Sequence, residues 1–183
     1  PHTAMDNNNI DNIGILVDRS KSMETMGEEV VAGVNCFVSE QKQSGKHARI
    51  SILEFDHEVS QIYAGDVWNC PVFNGSHFIP RGTTALHDGI HKLIDKMQEH
   101  PAPKHIAVIL TDGAENSSKF HDVHGTRSRI EELKSQGWSF VFLAANQDAF
   151  TAGATMGISA CIEYEANPES QFAALRAASD SVT

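Results

Sequence analysis

Residues 10–23 read IDNIGILVDRSKSM, and the way this stretch is read decides the fold. From Ile13 to Val17 it is apolar without a break. A strand with one wet face alternates apolar and polar residues, whereas an unbroken run fits a strand covered on both faces. The run ends at Asp18, and Arg19-Ser20-Lys21-Ser22 turn abruptly polar. Residues 10–17 are therefore expected to form a buried strand whose far end opens into a loop rich in oxygen donors.

Outward from this strand, helices and strands alternate. Val30, Val31, Val34, Phe37 and Val38 recur at helical spacing within 24–43, with Gly45 as a stop. Residues 48–55 and 58–63 read as two strands, and the short polar turn Asp56-His57 makes them an antiparallel hairpin. Residues 67–81 form a connection punctuated by Pro and Gly. A helix over 84–98 carries Leu86, Ile90, Leu93, Ile94 and Met97 on one side, and HIAVIL at 105–110 is a central strand. A helix over 126–135 closed by Gly137, a strand at 138–144, a short helix at 149–156 and a strand at 158–164 follow. Pro168 opens a last helix through 178, in the first turn, where its missing N–H does no harm. This order predicts an α/β, three-layer, doubly wound (Rossmann-like), mostly parallel sheet with one antiparallel edge strand.

With 183 residues the chain suits one domain, read as 10–183, after a tag remnant ending before Met5 and a polar tail to Asn9. Fourteen basic residues against 24 acidic ones give a net charge of −10. No cluster of Lys and Arg offers a phosphate-binding surface, so nucleic acid and anionic membrane are not expected partners. No apolar run approaches the roughly 20 residues that span a bilayer. Cys36, Cys70 and Cys161 are far apart and odd in number, which is expected of bystander thiols in a reducing compartment.

In doubly wound sheets, chemistry sits beyond the carboxyl ends of the strands, where strand order reverses. Three stretches there carry oxygen donors: DRSKS at 18–22, GTTAL at 82–86 and TDG at 111–113. Parallel strands deliver these loops to one face, and hydroxyls with carboxylates suit a hard cation that keeps some water.

These three stretches, in this order, resemble the von Willebrand factor type A (VWA) family. DRSKS resembles its DxSxS signature, GTTAL its second-loop threonine and ILTDG its third-loop aspartate, together the metal-ion-dependent adhesion site. The resemblance implies Ser20, Ser22 and Thr84 as hydroxyl ligands, and Asp18 and Asp112 as carboxylates acting directly or through water. Thr83 also offers a hydroxyl; matching Ala85-Leu86 to the small-then-aliphatic pair of the family favours Thr84. The implied cofactor is Mg²⁺, with Mn²⁺ as a substitute. The implied activity is non-enzymatic binding of a protein partner that offers an Asp or Glu to the ion. Arg19, Lys21, Glu115, Asn116 and Asn146 are expected on the partner-binding rim. The DRSxSM form is similar to stand-alone prokaryotic or phage members, often assembly factors beside AAA-type ATPases, which implies a cytoplasmic location. Two other readings of the same ion stand beside this one: a metal-dependent hydrolase or phosphoryl-transfer enzyme, and a structural subunit whose ion only stiffens the loops.

Weaker signals carry less. His87 and His91 are four residues apart on one helix but lack the Glu of HExxH, and are expected on an exposed helix face; His121 and His124 are likewise not read as a zinc site. Gly153 and Gly157 are expected to allow close packing of helix on sheet. No P-loop, GxGxxG or GxSxG accompanies the architecture, so it is not read as nucleotide-binding.

Overall fold

A computed structural model describes residues 10–26, 28–112, 115–144, 147–158 and 160–163. Six strands form one sheet in the order β3-β2-β1-β4-β5-β6. They are β1 (Asp11–Asp18), β2 (Ala48–Phe55), β3 (Val59–Asp66), β4 (His105–Thr111), β5 (Ser139–Ala144) and β6 (Ala160–Glu163). Every neighbouring pair is parallel except β2 with β3. The expected hairpin is present, with β3 reaching Asp66, beyond the expected end at 63, across a register shift at Ile52/Leu53.

Two apolar layers explain the unbroken hydrophobic runs. On one side, α1 (Glu28–Gln43) lays Val30, Val34 and Phe37 over Ile13, Ile15, Val17, Ile50 and Val108. On the other, α2 (Leu86–Gln98), α3 (Val123–Ser135) and α4 (Gln147–Thr155) cover Leu16, Phe55, Ile109 and Phe142. Each central strand thus feeds both layers from alternate residues, and neither face of it needs polar side chains.

Helix starts differ from the sequence pattern for local reasons. A 3₁₀ turn over Lys21–Met26 precedes α1, so the Ser-rich loop is wound tightly and does not simply run into the helix. α3 begins at Val123, ahead of the expected 126, because the Asp122 side chain accepts from the Gly125 amide at 2.8 Å and caps the first turn. The polar tail at 1–9 and the expected helix at 168–178 lie outside the described residues.

α2 sits very close to the sheet. A Cβ on Gly14 of β1 would lie 2.4 Å from Met97 Sδ, and one on Gly89 of α2 would lie 3.2 Å from the Phe55 ring. Both glycines exist for this approach, which fixes the height of the helix and of the loop at its N-terminus. Gly153 does the same for α4, its absent Cβ leaving room for Cys161 and Phe142.

The histidines expected on an exposed face of α2 are instead buried, His87 at 8% and His91 at 6% exposure. The reason is the segment before α3, which lies over the helix. His121 stacks flat on His91 at 3.6 Å and 5°, and Arg129 Nη1 lies 3.0 Å from His91 Nδ1. Flat-stacked imidazoles point their in-plane lone pairs side by side, so this pair does not converge on one ion. Burial, with the charges of His121 and Arg129, pushes His91 down to about 4. No disulfide joins the three cysteines, and burial pushes Cys70 up to about 11, which keeps it an inert thiol.

Two outcomes test this packing. Gly14→Val should lose about 1–3 kcal/mol of stability through overpacking against Met97, measured by urea unfolding. His91 takes a proton near its ordinary 6.5 when unfolded but only near 4 when folded, so acid favours unfolding between those values. The urea midpoint should therefore fall as pH is lowered from about 7 to about 5, and fall less steeply in His91→Gln.

Candidate metal-binding face

Strand order reverses between β1 and β4, since the chain winds outward to β2 and β3 on one side and to β5 and β6 on the other. Loops leaving these two adjacent strands diverge and open a crevice at their carboxyl ends. Asp18 closes β1 and Thr111 closes β4, and the two are joined directly: the Thr111 hydroxyl donates to Asp18 Oδ2 at 2.7 Å. The other oxygen, Oδ1, accepts from the Ser20 amide at 2.7 Å. Asp18 and Ser20 are each 1% exposed, and Thr84 is 2% exposed while Thr83 faces solvent.

The second loop is stitched to the first by backbone bonds. Arg81 N donates to Arg19 O at 2.8 Å, and Lys21 N donates to Gly82 O at 3.1 Å. Gly82 takes a positive φ of 71°, and a Cβ there would strike His57 Nδ1 at 2.5 Å. The third loop is stitched to the second. Asn116 Oδ1 accepts from Thr84 N at 2.9 Å, and the amides of Asn116 and Ser117 return to Thr84 O at 2.9 and 3.1 Å. Thr84 therefore has its backbone clamped on both sides, which fixes the direction of its buried side chain.

That third loop also caps α2, whose own preceding residue, Ala85, supplies no side-chain cap. Glu115 accepts from His87 N at 3.3 Å, Ser118 Oγ accepts from Asp88 N at 3.1 Å, and the Ser118 hydroxyl donates to Glu115. Orphan amides at the helix start are thus satisfied by a loop some 30 residues away in sequence.

Among the residues expected at the rim, the structure separates distinct roles. Lys21 is exposed. Arg19 is turned inward, its guanidinium 2.9 Å from Glu54 and 3.3 Å from Asp56 with the side chain 13% exposed, because the β2 carboxylates need a counter-charge. Glu115 and Asn116 lie at the surface but are engaged in holding α2 and Thr84. Asn146 lies outside the described residues, and Ser22 follows Lys21 within the 3₁₀ turn.

The residue that sequence reasoning passed over is Asp56, read there as a turn polar. It is fully buried, accepts from Arg81 Nε at 2.6 Å and from Glu58 N at 2.7 Å, and its carbonyl accepts from Ala85 N at 2.8 Å. Burial works to raise its carboxyl, but the Glu58 amide and the Arg81 and Arg19 guanidiniums outweigh it and hold it below the ordinary carboxylate range. Its position at the carboxyl end of β2, on the same edge as Asp18 and Asp112, was the available signal.

The donors gathered at this face are oxygens. Among the described residues no group of three or more His, Cys, Asp or Glu side chains is placed to hold a metal. What the face offers is two carboxylates with hydroxyls, a hard set suited to Mg²⁺ or Mn²⁺ and poor for zinc. Burial pushes Asp18 up to about 6; hydrogen bonds from Ser20 and Thr111 oppose this, and the like charge of Asp112 adds to it. The nearby basic side chain, Arg19, is committed elsewhere. A buried carboxylate beside a second carboxylate is a pair that a divalent cation would neutralise, so these residues fit the ion.

Asp56→Asn should loosen the junction of the first two loops at a cost of about 1–3 kcal/mol, measured by urea unfolding, because Arg19 and Arg81 lose their buried counter-charge. Arg81→Ala, which removes an exposed side chain, should cost less than Asp56→Asn.

The sequence profile of the von Willebrand factor type A domain matches residues 12–163. No curated protein matches the chain in sequence. Several solved structures share its fold. The vWF domain of the type V pili tip protein Mfa5 from Porphyromonas gingivalis aligns with TM-score 0.75 and 9% identity, over 94% of this chain and 95% of that one. The PilB minor pilin from Streptococcus sanguinis aligns with TM-score 0.70 and 11% identity, over 94% of this chain and 61% of that one. The pilus adhesin SpaC from Lactobacillus rhamnosus GG aligns with TM-score 0.70 and 13% identity, over 95% of this chain and 30% of that one. The chain thus spans less than two thirds of the pilin and the adhesin. The expected cytoplasmic location is corrected by these neighbours, which are pilus proteins. The odd cysteine count that favoured a reducing compartment is compatible with this correction, since a buried thiol such as Cys70 persists without one. By sequence profile and by fold, this chain belongs to the von Willebrand factor type A domain family.

Proposed function

We propose that this chain is a divalent-metal-dependent protein-binding module, holding Mg²⁺ or Mn²⁺ at the carboxyl ends of β1 and β4 and recognising an acidic residue of a partner through that ion. The observation that carries the reading is the Asp18 carboxylate, 1% exposed and tied to Thr111 and Ser20 beside Asp112, with no basic side chain bonded to it among the described residues. Asp18, Ser20, Ser22, Thr84 and Asp112 would hold the ion. Bound there, a divalent cation offers a coordination position to an incoming carboxylate, a strong contact in a partly dehydrated setting.

The chain's own residues do the rest. Backbone bonds between the loops hold the hydroxyl-bearing segments in place, so little ordering remains when an ion arrives. Exposed Lys21 adds positive charge near the ion in a chain of net charge −10, a local attraction for an anionic group. Membership of the VWA family and the fold shared with pilus proteins support an interaction role.

Calorimetric titration of metal-stripped protein is expected to show Mg²⁺ binding at or below millimolar concentration, lost in Asp112→Ala and in Ser20→Ala with Ser22→Ala. Tight zinc binding that survives Asp112→Ala would overturn the assignment. Ser20 is buried against the Asp18 carboxylate, so the double serine variant in EDTA should lose about 1–3 kcal/mol yet still unfold cooperatively, measured by urea unfolding. Collapse of that metal-free fold would show the serines to be structural.

A further inference from the structure

At the end of the sheet away from Asp18, three polar side chains stand in one row. Asp66 closes β3 opposite Arg49 near the start of β2, and Arg49 is in register with Asn12 near the start of β1. Asn12 and Asp18 are six residues apart on β1, roughly 20 Å along the strand, so the row lies far from the strand-end carboxylates. It borders a cavity of about 240 Å³, whose other walls are Ile10 and, from the connection between α2 and β4, His100, Pro101 and Ala102.

Opposite charges directly across two antiparallel strands are close enough to pair. Among the described residues no ion pair joins Arg49 to Asp66. Asp66 accepts from the Trp68 amide at 2.9 Å, with His47 Nδ1 3.7 Å away, and Arg49 Nε is buried without a hydrogen-bond partner. Asn12, 1% exposed, donates through Nδ2 to Met97 O at 2.8 Å and leaves Oδ1 buried without a donor. Buried polar atoms without partners are few in folded proteins, and beside a cavity they mark a place for water or for a ligand group. Burial, and after it the Arg49 charge, lowers His100 below its ordinary value, so His100 brings no second cation to the cavity.

The two charges decide what the cavity fits. A simple anion would meet Arg49 but face Asp66, and a simple cation would meet Asp66 but face Arg49. A small molecule carrying both charges answers each. A carboxylate suits the guanidinium fork of Arg49, and an ammonium group suits Asp66 and the unmet Oδ1 of Asn12. Ile10, Pro101 and Ala102 supply apolar wall. The volume is below the roughly 300–1,000 Å³ of sites for drug-sized ligands, which favours a single small molecule. We propose that this cavity binds an α-amino acid with an apolar side chain, held by Arg49 at its carboxylate and by Asp66 and Asn12 at its ammonium group. None of these residues is a candidate metal ligand, so binding here should not need the ion.

The test is calorimetric titration of the full chain in EDTA with leucine, valine and glycine, and with two single-charge analogues of leucine, 3-methylbutylamine and 4-methylpentanoate. Leucine or valine should bind at or below millimolar concentration, and glycine and both analogues at least about tenfold more weakly. Arg49→Gln and Asp66→Asn should each weaken amino-acid binding at least about tenfold. The asparagine can still accept from the Trp68 amide, so Asp66→Asn should unfold in urea close to the parent. Amide NMR shifts of the parent on adding the amino acid should centre on Asn12, Arg49 and Ala102, which locates the site without any variant. Absence of binding by leucine and valine at millimolar concentration would overturn the proposal. So would 4-methylpentanoate binding as tightly as leucine, the mark of a simple carboxylate site, or amino-acid binding that survives both substitutions.

Discussion

A carboxylate shut away from water at the end of a central strand is the constraint on which the upper part of this domain depends. Burying a charge costs several kcal/mol unless it is paired or hydrogen-bonded. Asp18 meets that cost through the Thr111 hydroxyl and the Ser20 amide. These two bonds join the ends of β1 and β4 across the reversal in strand order and set the first loop's path. A few residues away the opposite solution operates. Asp56 is equally buried but is matched by two guanidiniums, and its carboxyl is held down where that of Asp18 is pushed up. The contrast separates a carboxylate matched by guanidiniums from one whose bonds come from a hydroxyl and an amide.

Around this pair the three loops stabilise one another. The first loop bonds to the second through main-chain groups, and the second to the third through Asn116. The third supplies the N-terminal cap that α2 lacks. Each borrows rigidity from the next, and the shared anchor is the N-terminus of α2. A preformed face of this kind lowers the ordering cost of binding anything there.

The fold was legible in the sequence because its cause is periodicity. IGILV and IAVIL could only be strands covered twice, and the Asp56-His57 turn could only join neighbours. The positions of Asp18, Ser20, Thr84 and Asp112 were legible because strand ends converge by topology. What sequence could not carry were contacts made across long separations. Arg19 alternates with Asp18 and Ser20 and so was expected to point outward. It does point away from them, but toward Glu54 and Asp56, which lie on the neighbouring strand and its end. His87 and His91 looked solvent-facing because helix periodicity does not reveal a segment laid over them by His121. Glu115 and Asn116 were expected on the rim, and their bonds to Thr84 and α2 were not foreseen, because capping of one element by another leaves no local spacing to read.

The missing side chain at Gly14 has a mechanical consequence. With Met97 and Leu93 pressed against the bare strand backbone, α2 is seated on β1 like a bolt in a socket. Sliding the helix by even one residue's rise, about 1.5 Å, would drive those side chains into the strand. The helix that carries Thr84 at its head is therefore a fixed post. Strain introduced at the strand-end face has no route down its axis, and is left to the loops that lean on it.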